Sequence, residues 1–447
     1  MENKSNQGVR STQTKTKHRI LSDYLDAWAG IIFFGIKAAW KGHKTSRRPH
    51  FVYVDGFSFK GKYDGGDLDN LHHQTVYGSP VIGVQALDKF AKFASKKGLP
   101  VSTNAILIEK DPKNYRALQD TLMETGYESR VRETTDFTSL RNGEIAIVNQ
   151  DAISIVDELL RYTDVPHTWA FYLIDPWGAS GIPYPFVQKI VSAPRHDVMI
   201  NFIYEDFLRK TGMVDSDLGI QHQSLVDYWR AAFGDRIWEE LILPTVREVE
   251  TSPHSRSILD KIPLLSEDEK DLLANQPSAI LKERLFVLGY VHTLKSMDAD
   301  IAVKPIALRF PDKERTMLYL FLTTHNATGA LTMNEVLFKA KLLEYELRHR
   351  ARMAKIRKTG QMSLFDTSVG VAKDTSASRP DIEEVADEIF NTFQGRQTTR
   401  KEIYQALAAT ELFPRDVDKA LALLKKRGDV QFDGKLTHRT QLHFCIK

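Results

Sequence analysis

A succession of short apolar runs, each stopping at polar residues and followed by a helical pattern, organises this chain. Phe51-Val52-Tyr53-Val54 runs into Asp55-Gly56, Ala105-Ile106-Leu107-Ile108 into Glu109, and Ile145-Ala146-Ile147-Val148 into Asn149-Gln150-Asp151. Trp169-Ala170-Phe171-Tyr172-Leu173-Ile174 then runs into Asp175-Pro176-Trp177-Gly178, and Val198-Met199-Ile200-Asn201-Phe202 supplies a further run. Between them, Val81 to Lys97, Pro112 to Glu124, Ala152 to Tyr162 and Tyr184 to Ala193 carry helical spacing. Strands alternating with helices predict an α/β fold with a parallel sheet, and near-continuous apolar strands predict a sheet covered on both faces. Such sheets bind ligands outside the carboxyl ends of their strands. The acids are therefore expected to share one edge. Arg284 to Tyr290 and Met317 to Leu322 are expected to form an antiparallel edge pair.

Composition narrows the class. With 447 residues, 42% hydrophobic and 27% charged, the chain can bury a large core and is expected to hold two or more domains. A single cysteine, Cys445, rules out an internal disulfide framework. No run reaches the roughly 18 apolar residues of a membrane span. Residues 1–17 are polar and lack the apolar region of a secretory signal, which predicts a disordered arm and a cytoplasmic protein. The net charge of +3 is too small for a general polycation, yet basic residues cluster at Lys37, Lys41, Lys44, Arg47 and Arg48, and from Arg348 to Lys358. Such clusters serve either as phosphate contacts or as solvated helix faces.

The order of motifs resembles the class I S-adenosylmethionine-dependent methyltransferases over residues 50 to 350. The resemblance implies a Rossmann-like sheet preceded by a helix. It also implies a cofactor loop at Asp55, Gly56, Phe57 and Gly61, a ribose acceptor at Glu109, and an adenine-amine acceptor at Asp151 beside Gln150. Asp175, Pro176 and Trp177 would form the catalytic motif: acid and carbonyl accept amine protons while the ring stacks on a base. A closer resemblance is to the three-Cys-motif partner family, TcmP. It rests on Tyr24-Leu25-Asp26-Ala27-Trp28, Val54 to Phe57, Gly78-Ser79-Pro80, Asp175 to Gly178 and Leu322 to Gly329. That family is named for a cysteine-rich neighbour resembling a radical-type iron–sulfur enzyme, which implies such a protein as a partner. The implied function is methyl transfer from S-adenosylmethionine to an exocyclic amino group of a nucleic-acid base. The alternative is a recognition subunit for the cysteine-rich partner with impaired cofactor binding.

One departure from the family pattern bears on that choice. Ser58-Phe59-Lys60-Gly61 stands where Ala-Gly-Pro-Gly is typical, so a bulky ring replaces a glycine that lets backbone and cofactor approach. Ser79 is expected to cap the next helix and Pro80 to begin it, offering free N–H groups to a carboxylate. Asp151 and Asp111 are helix N-cap candidates as well. Lys62 to Tyr77, with His72-His73, is expected to be an inserted lid or substrate loop, and no metal site is assigned to the histidine pair.

Residues 359–380 are rich in Ser, Thr, Asp and Gly and read as a linker. Beyond them, helical patterns at Asp381 to Phe393, Thr399 to Ala409 and Arg415 to Arg427 precede a hairpin of Val430 to Gly434 with Gln441 to Phe444. Three helices and a terminal hairpin predict a winged helix-turn-helix domain over residues 381–447, resembling modules attached to some family members. Its third helix carries Arg415, Lys419, Lys425, Lys426 and Arg427, and its wing carries Lys435, His438 and Arg439; these are the candidate nucleic-acid contacts. A protein-docking role is the alternative, and few contacts with the preceding domain are expected.

Overall fold

The structure, a computed structural model, describes residues 12–39, 48–63, 76–176, 182–211, 220–248, 255–274, 276–310, 315–359, 380–408, 410–437 and 439–446. Its centre is an eight-stranded mixed sheet. In chain order the strands are β1 (His50–Asp55), β2 (Ser102–Ile108), β3 (Val131–Glu133), β4 (Ile145–Val148), β5 (Thr168–Ile174), β6 (His196–Phe202), β7 (Ala302–Arg309) and β8 (Thr316–Thr324). In space they lie in the order β3-β4-β2-β1-β5-β6-β8-β7. β1 pairs in parallel with both β2 and β5, while β8 runs antiparallel to β6 and to β7. The chain builds outward from β1 on one side and returns at β5 to build the other side. The reversal falls between the ends of β1 and β5, which is where open α/β sheets form a ligand crevice.

Successive strand residues face opposite layers. Val52, Val54, Ile106, Tyr172 and Val198 face a core closed by α4 (Val156–Thr163), α5 (Tyr184–Val191) and α6 (Ser278–Met297). Phe51, Tyr53, Leu107, Phe171 and Met199 face α1 (Thr12–Ala39), α2 (Ser79–Lys96), α3 (Pro112–Glu124) and α7 (Ala327–Thr359). Each fully buried large apolar side chain stabilises the fold by roughly 1.5–3 kcal/mol before entropy is counted. α2 approaches β1 so closely that a Cβ on Gly83 would lie 2.1 Å from Tyr53 Cε1. Only glycine permits that crossing, and the crossing brings Ser79 to the end of β1.

Three expectations change. Arg284 to Tyr290 lies within α6, whose buried positions Leu281, Leu285, Gly289 and Thr293 recur at helical spacing. A seven-residue apolar run does not by itself distinguish strand from helix. The partner of β8 is instead Ala302–Arg309, an edge strand that tolerates Pro305 because its outer side has no ladder to complete. Second, α1 begins at Thr12, inside the segment expected to be an arm, with Gln13, Thr16 and His18 buried. Third, the first residue of α2 is Ser79 and its N-cap is Gly78, with no side-chain cap, so the Ser79 hydroxyl is left for another partner. Asp111 does cap α3, accepting from the amides of Lys113 and Asn114. Among the described residues no helix is long and apolar enough to cross a membrane.

The C-terminal residues form three helices, α8 (Ile382–Phe393), α9 (Arg400–Ala406) and α10 (Pro414–Arg427), with a three-stranded antiparallel sheet of Gln397–Thr399, Gln441–Phe444 and Val430–Gln431. Asp381 caps α8, Thr399 and Glu402 form a capping box on α9, and Gly428 ends α10 in the left-handed conformation. The expected scarcity of contacts with the body is corrected. Leu331 of α7 is fully buried in the same apolar cluster as Ile389, Ile403 and Leu421. Asn334 donates to the carbonyls of Thr410 at 2.9 Å and Leu412 at 2.6 Å, and buried Lys304 of β7 also donates to Thr410. Phe338 packs edge-on against Phe413.

Candidate functional site

Strand ends supply the site. Past β1, the Gly56 amide bonds to the Leu173 carbonyl and the Ser58 amide to the Ile108 carbonyl, so the loop after β1 is tied to both neighbouring strands. Phe59 then takes φ +52, a left-handed conformation that costs a non-glycine residue about 1–2 kcal/mol. That bend delivers the Phe59 amide to Glu109 Oε2 at 2.8 Å, while the Asp111 amide donates to Glu109 Oε1 at 2.8 Å. Glu109 is buried, 8% exposed. Each of its oxygens has one amide donor and retains a second lone pair. At the end of β4, Asn149 Nδ2 donates to the Glu109 carbonyl, and Asp151 Oδ1 accepts from the Ile153 amide at 3.0 Å. Asp151 thus caps the turn leading into α4.

These ends enclose a cavity of about 210 Å³, lined by Gly56, Phe57, Phe59, Glu109, Gln150, Asp151 and Pro176, with Lys110, Asn114, Ala152, Ile153 and Ile182 completing it. The structure therefore brings together Gly56, Phe57, Glu109, Gln150, Asp151 and Pro176. Asp55, Gly61 and Ser79 lie outside the lining. Gly61, at φ +70, packs against Leu118 and accepts the Gly78 amide, which makes it a turn and packing residue. Trp177 and Gly178, like Gly65-Gly66 and His72-His73, lie outside the described residues. Asn114, Ile153 and Ile182 carry no local signal of a site, since each reads as an ordinary helix or loop residue.

Beside the cavity is a polar cluster. Asp55 is fully buried; it accepts from the Phe57 amide at 3.2 Å and from Tyr53 Oη at 3.3 Å, and Ser79 also bonds to it. Burial pushes its carboxyl up to about 7, with the nearby Asp175 charge adding to the rise and the hydrogen bonds opposing it. Burial likewise raises the Tyr53 hydroxyl well above its ordinary value. Asp175 is held by Lys17 Nζ, 2.6 Å from Oδ2, and by Asn201 Nδ2, 2.5 Å from Oδ1. Lys17 and Asn201 were both absent from the sequence-based site.

Several basic side chains of the C-terminal residues have structural partners. Arg427 bridges Glu383 and Asp387, Lys425 donates to the Phe432 carbonyl and covers that ring, and Arg415 lies 3.8 Å from Glu335 of α7. Lys419, Lys426 and Arg439 are exposed. Of the basic clusters, Lys37 donates to the Lys97 carbonyl, and Lys41, Lys44, Arg47 and His438 lie outside the described residues.

No protein-family model and no curated protein matches the chain. The likeness to TcmP proteins therefore rests on the motifs alone. Among solved structures, the crystal structure of protein LPL1258 from Legionella pneumophila str. Philadelphia 1, described under the family model DUF519, aligns with 71% of this chain and 86% of its own at 12% identity. The TM-score is 0.32.

Proposed function

We propose that this protein is a Rossmann-like class I methyltransferase that transfers a methyl group from S-adenosylmethionine to an exocyclic amino group of a nucleic-acid base. The observation carrying the reading is the convergence of Gly56, Phe57, Glu109, Gln150 and Asp151 on one cavity beside the point where the sheet reverses direction. A nucleoside suits that lining. The free lone pairs of Glu109 match ribose hydroxyl donors, Gln150 and Asp151 match an adenine amine, and Phe57, Ile153 and Ile182 supply apolar walls. The fit is to the nucleoside part, because 210 Å³ is below the roughly 300–1,000 Å³ of ordinary ligand pockets. When bound, S-adenosylmethionine would supply the activated methyl group. Asp175 would accept an N–H of the acceptor amine and orient its lone pair. Pro176 joins the acceptor side to the nucleoside side. No strong base is required if catalysis is positioning and electrostatics. The three C-terminal helices and their small sheet suit a winged helix that delivers substrate through Lys419, Lys426 and Arg439.

A second reading is favoured by one observation, the presence of the bulky residue Phe59 in the cavity lining. In that reading the chain is a recognition subunit for a cysteine-rich iron–sulfur partner and binds cofactor weakly. Labelled methyl transfer to total DNA, tRNA, ribosomal RNA and protein, followed by nucleoside mass spectrometry, separates the two. A methylated amino nucleoside supports the enzyme. No transfer to any class supports the subunit.

A further inference from the structure

Asp175 is gripped by two side chains that no local signal connects to it. Lys17 reaches it from α1, 158 residues away in sequence, and the two side chains are only 17% and 22% exposed, so water screens the pair less than a surface pair. The backbone of α1 is fixed: Gln13 donates to the Arg309 carbonyl at one end of the contact, and Tyr24 donates to buried Asp197 at 2.9 Å further along. Lys17 is therefore delivered by a packed helix. Asn201, 5% exposed, donates from Nδ2 while its own Oδ1 has no partner. Of the two amide orientations, only this one puts a donor on the carboxylate; the other sets oxygen against oxygen. The neighbouring Asp55 carboxyl adds a reason for the grip, because Lys17 sits on Asp175, whose charge acts on buried Asp55.

We propose that Lys17 and Asn201 are positioning residues for Asp175, holding it as a fixed acceptor for a substrate N–H; this rests on the amino-group reading above. The two donors occupy about two of the carboxylate's roughly four lone-pair sites, which leaves acceptor capacity on each oxygen.

The test uses the full chain as wild type, Lys17→Met, Lys17→Arg, Asn201→Leu, Asp175→Asn and the Lys17→Met/Asp175→Asn double variant. Urea unfolding of Lys17→Met should lower the folding equilibrium constant about tenfold or more, because a shielded carboxylate loses its cation. Most of that loss should vanish in the Asp175→Asn background. Lys17→Arg should restore stability. In methyl transfer to total nucleic acid, Lys17→Met and Asn201→Leu should lower kcat at least tenfold with KM for S-adenosylmethionine within about threefold, and Lys17→Arg should recover activity. A Lys17→Met loss of the same size in the wild-type and Asp175→Asn backgrounds means ordinary packing and overturns the assignment. Proportional loss of cofactor affinity and kcat also overturns it. An inactive wild type with the Lys17–Asp175 coupling intact sinks the amino-group reading instead, so the two failures are distinguishable.

Discussion

Replacing Phe59 by glycine tests whether the ring narrows the cofactor pocket. Phe59 sits at φ +52 and lines the 210 Å³ cavity. Glycine removes a left-handed penalty of about 1–2 kcal/mol. It returns roughly 0.5–1 kcal/mol as unfolded-state entropy and forfeits part of the burial of a half-buried ring. The net change in stability should stay within about 1 kcal/mol, while the cavity widens toward the roughly 300 Å³ at which ordinary ligand sites begin. S-adenosylmethionine should then bind about tenfold more tightly, or about 1.4 kcal/mol. Calorimetric titration of both full-length proteins, with urea unfolding as the control, measures both quantities. Binding weakened by about 1–3 kcal/mol would mean that the ring holds the cofactor rather than obstructing it, since that is the loss expected if the ring stacks on the bound base.

Three further outcomes are expected. Asp55 has a folded-state value near 7 because it is buried, above the roughly 3.9 of an unfolded aspartate, so its contribution is fully present below about pH 4 and is lost as pH rises through 7; Asp55→Asn should remove up to about 4 kcal/mol of that pH dependence in unfolding curves from pH 4 to 8. Asn334→Ala should cost about 1–3 kcal/mol by leaving the Leu412 carbonyl unpaired, and a chain ending at residue 359 should melt lower and lose solubility as Leu331 is uncovered; an unchanged melting temperature would mean that the docking contacts contribute little. Lys419→Glu with Lys426→Glu should weaken nucleic-acid binding and flatten its salt dependence by roughly one ion per lost phosphate contact; full retention of affinity and slope would exclude these exposed lysines.

The strands that build the site were legible because each is a buried apolar run with a polar stop, and the acids at the ends of β1, β2, β4 and β5 follow from that pattern alone. Elements that depend on distant partners were not. Ala302–Arg309 contains Lys304 and Pro305, which argue against a central strand; the buried lysine reaches the Thr410 carbonyl and the Glu411 charge, and the proline is tolerated only at an edge. The polar start of α1 looks like an arm until Arg309 and Asp175 supply partners for Gln13 and Lys17. The acids that pair with Arg415 and Arg427, namely Glu335, Glu383 and Asp387, lie on other helices, so no local pattern announces those pairs. The change of composition after residue 359 suggested an independent appendage, whereas Leu331 and Asn334 tie the C-terminal helices to α7.

If the carboxyl edge of this sheet holds a nucleoside cofactor through Glu109, calorimetric titration of the full chain with S-adenosylmethionine will show it. Saturable one-to-one binding is expected, weakened at least about tenfold in Glu109→Gln, where an amide replaces an acceptor for the ribose hydroxyls, with the fold intact by circular dichroism. Absence of binding at millimolar S-adenosylmethionine by the folded wild type, or equal affinity in both proteins, would rule out that role for Glu109.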